Sequence, residues 1–118
     1  MNKEHVKAWI AALRSGQYKQ GVDKMYDPKT DCYCVWGVGC KISGVPMMYW
    51  EKRGSPPTEV LQYFGIHHHR DIVETWDYHL NHLGLIGLND SHQFTFDQLA
   101  DLIEASLNGW DLMVTVRL

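Results

Sequence analysis

No stretch of the sequence approaches the ~18 uninterrupted apolar residues of a membrane span. The opening Met1-Asn2-Lys3-Glu4-His5 runs into an amphipathic pattern and not into the apolar centre of a signal peptide, so a cytoplasmic location is expected. Charge of one sign is equally scarce. A formal net charge of -3 is too small to make the chain a nucleic-acid binder by electrostatics, and too small for the acidic surface of a DNA mimic. A phosphate-cradling Gly loop and a paired-cysteine metal signature are both missing. Cysteine is sparse and odd in number, at positions 32, 34 and 40. That pattern does not suit a secreted disulfide scaffold, and Cys32 and Cys34 are too close for an easy bridge, so reduced thiols are expected. No repeat, low-complexity tract or long linker divides the chain.

What is present fits one domain over residues 1–118. A hydrophobic fraction of 45% with 21% charged residues is that of a globular protein. A chain of this size buries roughly two-thirds of its extended surface on folding, enough for an independent core. Seven histidines and five tryptophans are generous for the length and favour a binding role.

The pattern predicts an α+β fold that is mainly helical, with helices near 3–14, 56–64, 71–83 and 95–107 and a small sheet that includes a C-terminal strand, 110–118. Val6, Trp9, Ile10 and Leu13 recur at helical spacing behind Asn2 as N-cap. Ser55 as N-cap and Pro56 at the first helical position open the second helix, which Gly65 ends. Asp71 and Glu74 form a capping-box pattern ahead of Ile72, Val73, Trp76, Leu80 and Leu83, with Gly84 as the stop. Thr95 and Gln98 make a second capping box, with Phe94 and Leu99 as a hydrophobic staple.

Residues 17–31 read as an irregular arm with Lys19, Lys24 and Lys29 exposed. Tyr33 to Ile42 fits strand or helix: Cys34, Trp36, Val38, Cys40 and Ile42 alternate, while Gly37 and Gly39 weaken either assignment. Val45 to Trp50 reads as a second short extended piece. The tail alternates apolar and polar residues from Trp110 to Leu118, and a lone strand is unstable, so it is expected to pair with an extended segment within 33–50.

Five constellations are candidates for chemistry. Cys34 precedes the histidines and Asn89-Asp90, the chain order of papain-type cysteine hydrolases, in which an imidazole takes the thiol proton and a third group orients the imidazole. A small cysteine with apolar flanks is more often a core residue. Cys32, Cys34 and Cys40 with one of His67, His68 or His69 would make a Cys3His zinc set, but one residue between the first two thiolates is too few, and no metal or other cofactor is expected. His79 falls on the apolar face of the third expected helix and is the best base of the hydrolase reading. Leu88-Asn89-Asp90-Ser91 reads as a turn whose side chains cap backbone groups. Met47-Met48-Tyr49-Trp50 suits an interface or a core equally.

Three blocks are distinctive together: Leu13-Arg14-Ser15-Gly16-Gln17-Tyr18-Lys19-Gln20-Gly21, then Tyr33-Cys34 with Gly37 and Cys40, then Leu88-Asn89-Asp90-Ser91 before the helix Phe96 to Leu107. They resemble a family of small uncharacterised proteins encoded mostly by bacteriophages and prophages. Its members carry a Leu-x-Ser-Gly-x-Tyr-x-Gln-Gly start, a Cys-Cys-Leu-Gly-Val-x-Cys centre and a Leu-Asn-Asp turn before a final amphipathic helix. The resemblance covers roughly residues 13 to 107. Val35 stands where the second cysteine of the central doublet would fall, and Cys32 is additional. The resemblance implies a setting, the bacterial cytoplasm during infection, and no transferable activity.

The resulting expectation is an accessory protein that binds a host or defence component, or a small-molecule ligand of one, through Tyr18, Lys19, Met48, Tyr49, Trp50, His68 and His69. The alternative is a cysteine-dependent hydrolase or transferase with Cys34 as nucleophile, His79 as base and Asn89 or Asp90 as orienter.

Overall fold

Asn2 starts the first helix as its sequence position suggests: the side-chain oxygen accepts a hydrogen bond from the His5 N–H at 3.2 Å. Helix α1 spans Lys3–Arg14 and buries Val6, Trp9, Ile10 and Leu13, with Glu4 in the first turn and Arg14 in the last, matching the helix dipole. The computed structural model describes residues 1–66, 84–90 and 94–108. Within them lie strands β1 (Lys19–Gln20), β2 (Tyr26–Asp27) and β3 (Cys32–Tyr33), helix α2 (Val35–Ser43), a 3-10 turn (Met47–Tyr49), and helices α3 (Thr58–Phe64), α4 (Gly84–Asp90) and α5 (Phe96–Leu107). Among the described residues the fold is mainly helical with a small three-stranded sheet.

Helix α2 lies at the centre. Every residue from Val35 to Cys40 is buried, so the segment has no polar face. Its glycines are what allow neighbours so close: a Cβ on Gly37 would overlap the Met25 carbonyl, and one on Gly39 would press on the rings of Trp9 and Phe64. Trp9 lies 4.4 Å from Trp36 and 4.9 Å from Phe64 between ring centroids. The Trp9 indole N–H also donates to the Val35 carbonyl at 3.0 Å, which ties α1 to the first turn of α2.

Helices α1 and α5 pack together across the core, and Arg14 reaches Asp101 at 2.7 Å on the surface. The Thr95–Gln98 capping box is present in both directions, at 3.2 and 2.9 Å. At the other end of α1, the Asn2 N–H donates to the Phe64 carbonyl at 2.8 Å. His5 stacks on Tyr63 at 3.8 Å, and its Nδ1–H donates to the Tyr63 carbonyl at 2.7 Å.

Several sequence expectations are resolved or corrected. Tyr33 to Ile42, open between strand and helix in the sequence, is helical from Val35 onward, and within Val45 to Trp50, expected as an extended piece, Met47–Tyr49 form a 3-10 turn. Segment 33–50 therefore has no free strand edge for the tail: Tyr33 belongs to β3, which is flanked on both sides in the order β1-β3-β2. The strand expected over 110–118 and the helix expected over 71–83 lie outside the described residues. The arm 17–31 is not wholly irregular. It supplies β1, parallel to β3 with Lys19 opposite Cys32, and β2, antiparallel with Tyr26 opposite Tyr33. Two-residue strands are too short to print an alternation in sequence. Helix α3 begins at Thr58 behind Pro57 as N-cap, later than expected, because a proline disfavours helical backbone at the residue before it and Pro57 therefore opposes a helical Pro56. Leu88 to Asp90, expected as a turn, is the end of α4.

Candidate functional site

Cys34 is the N-cap of α2, and its sulfur accepts from the Gly37 N–H at 3.4 Å. The thiol is 2% exposed and faces the Met25 sulfur at 4.0 Å. Burial, partly offset by the Gly37 N–H, pushes the thiol up to about 12, and the negative charge of Asp90 acts in the same direction. A nucleophilic cysteine needs the opposite, a depressed value in an electropositive, partly open site. Cys40 is also raised, by burial first and then by Cys34.

Of the residues set beside Cys34 in the hydrolase reading, Asn89 and Asp90 do come near it. Asn89 is 1% exposed and fully engaged with other groups. Its oxygen accepts from the Val35 N–H at 3.2 Å and from Gln20 Nε2 at 2.9 Å; its amide donates to the Gly21 carbonyl and to Asp90 Oδ1, each at 2.8 Å. Gln20 Nε2 reaches on to the Phe94 carbonyl at 2.6 Å. Asn89 thus closes the ends of β1, α2 and α4 on one another. No imidazole joins this network among the described residues, and His79 lies outside them, as do His67, His68 and His69. Also among the described residues, no group of three or more His, Cys, Asp or Glu side chains is placed to hold a metal ion.

The interface candidates separate by burial. Met48 and Tyr49 are 77% and 61% exposed, while Trp50 is 1% exposed. Trp50 is therefore corrected from a contact residue to a foundation: its indole N–H donates to the Val45 carbonyl at 2.8 Å. The turn above it is closed by Tyr49 N–H to Pro46, Trp50 N–H to Met47 and Glu51 N–H to Met47, at 2.8 to 3.0 Å. Two large apolar side chains thus project from a turn that is fixed from beneath. Tyr18 and Lys19 belong to a different region. Tyr18 packs edge-on against Tyr33 at 5.3 Å and lines a groove of about 250 Å³ with Arg14, Gln20 and Asp97, while Lys19 is exposed on β1.

Asn89 caps backbone groups as expected, but at the distant Val35 and Gly21 and not within a local turn. Its signal was the pairing of a Gln20-Gly21 block with an Asn89-Asp90 block, which becomes meaningful only once the two are known to touch.

Fold and site together describe a small, mainly helical domain with a buried polar hub and a projecting apolar turn. A family described as a domain of unknown function, DUF8296, matches residues 1–53, which take in α1, the sheet, α2 and the Met47–Tyr49 turn. No curated protein and no solved structure matches the chain.

Proposed function

We propose that this chain is a bacteriophage accessory protein that acts in the bacterial cytoplasm by binding a host or defence component, without catalysing a reaction. The observation that carries the reading is the Met48–Tyr49 projection. Methionine and aromatic side chains are favoured in binding hot spots, and here they are held outward by a buried tryptophan beneath. A turn fixed in advance loses little conformational entropy when it docks. The phage setting rests on the resemblance of the Leu13–Gly21, Tyr33–Cys40 and Leu88–Ser91 blocks. Among the described residues no helix is long and apolar enough to cross a membrane.

The hydrolase reading needs an open, acidic thiol, whereas Cys34 is buried and raised to about 12. The test is capture from bacterial lysate by immobilised wild-type protein, by Met48→Ser/Tyr49→Ser and by Cys34→Ser. A stoichiometric partner held by the wild type and Cys34→Ser but lost by the turn variant supports the proposal. Equal capture by all three proteins, or loss only with a folded Cys34→Ser, overturns it.

A further inference from the structure

Between the loop that carries β2 and the segment that follows the 3-10 turn lies a cavity of about 310 Å³, lined by Lys24, Tyr26, Pro28, Glu51 and Lys52. We infer that it binds a nucleoside monophosphate. The inference is independent of docking through Met48 and Tyr49. The cavity sits at the lower end of the range of small-molecule sites, about 300 to 1,000 Å³, and suits a compact ligand better than an extended chain.

Tyr26 is the aromatic side chain that lines the cavity and is available for stacking. The Tyr26 hydroxyl donates to Asp31 Oδ1 at 2.9 Å, and its ring packs against Tyr33 at 4.7 Å, so the platform is fixed before any ligand arrives. Pro28 adds a second flat apolar surface. A Met25 N–H bond to the Arg53 carbonyl, 3.1 Å long, joins the two loops next to the cavity and sets their spacing. Stacking of a base on an aromatic side chain is worth about 1 to 3 kcal/mol and tolerates any base.

The charges suit the rest of such a ligand. Lys24 and Lys52 both line the cavity, are exposed and have no ion pair among the described residues, so their ammonium groups are available to a phosphate. Glu51, a half-buried lining residue, is an acceptor for a ribose hydroxyl or an exocyclic amine. A planar apolar body, a dianionic end and a neutral hydrogen-bond donor are the three features of a mononucleotide.

The probes are adenosine 5′-monophosphate, adenosine, inorganic phosphate and a short single-stranded oligodeoxyadenylate, each titrated into the full chain and followed by amide chemical shifts. The monophosphate is expected to saturate shifts at Lys24, Tyr26, Glu51 and Lys52, with adenosine and phosphate each at least about tenfold weaker. Lys24→Gln/Lys52→Gln, which changes only exposed side chains, is expected to weaken the monophosphate by about tenfold or more, and Tyr26→Leu to weaken both the monophosphate and adenosine. Met48→Ser/Tyr49→Ser should leave this binding unchanged, so its failure and that of the docking turn are separable. No saturable shift at these residues, or affinity unmoved by the lysine changes, overturns the inference. An oligonucleotide about tenfold tighter per site than the monophosphate also overturns it, in favour of strand binding.

Discussion

Gln20 and Asn89 stand 69 positions apart and meet through a hydrogen bond of 2.9 Å between their side-chain amides. That contact fixes which lone pair of Asn89 is left for Val35 and aims its N–H groups at Gly21 and Asp90. Asn89→Ala removes all four bonds and strands the buried Val35 N–H. It is expected to cost about 3 kcal/mol, measured by denaturant unfolding. A loss below about 0.5 kcal/mol would show that the hub contributes nothing beyond a surface residue.

Gly37 and Gly44 offer a contrast within one helix. Gly37→Ala places a methyl group against the Met25 carbonyl, a rigid backbone atom, and is expected to destabilise by about 3 kcal/mol or more. Gly44 closes α2 with φ of 77° and has open space around it, so Gly44→Ala is strained by only about 1 kcal/mol. Thermal melts of the two variants check the order; the reverse order would mean that α2 does not approach the Met25 backbone so closely.

The same helix explains where the sequence stopped being legible. Helices α1 and α5 announced themselves because each has one wet face and a side-chain cap, at Asn2 and at Thr95. Helix α2 has no wet face over Val35 to Cys40, so no helical stripe exists to be read, and its alternating Cys, Trp and Val with intervening glycines mimics a strand. Asn89 was legible only as a local capping residue, since three of its four partners lie 54 to 69 positions away. Met48, Tyr49 and Trp50 are chemically alike for interface purposes, and only packing separates the buried one from the exposed pair.

Cys34 is expected to make the fold sensitive to alkali. Its folded value is raised to about 12 from 9.0, so between these limits the native state holds a proton that the unfolded chain has lost. The sign follows: the contribution to stability is complete below pH 9 and falls as pH rises toward 12. Cys40 acts in the same direction. Unfolding free energies measured from pH 8 to 11 should decline less steeply in Cys34→Ala than in the wild type. Equal slopes, or fast alkylation of Cys34 in the native protein at neutral pH, would mean that the thiol is ionised and open.

Trp50 and Met48 are two residues apart and are expected to behave oppositely. Trp50→Ala empties a site that is 1% exposed and should cost about 3 to 5 kcal/mol, whereas Met48→Ala, at a site 77% exposed, should change stability by no more than about 0.5 kcal/mol. Differential scanning calorimetry separates them. A costly Met48→Ala would place that side chain in the core and remove it from the docking surface.

The most direct test of action through the turn is the affinity of the captured bacterial component for three proteins of matched thermal stability: wild type, Met48→Ser/Tyr49→Ser and Cys34→Ala. Loss of two hot-spot side chains is expected to raise Kd by about 100-fold or more in calorimetric titration, while Cys34→Ala stays within about threefold of wild type. An unchanged Kd in the turn variant, or a Kd that collapses in folded Cys34→Ala alone, would contradict binding through Met48 and Tyr49 and return the function to the thiol.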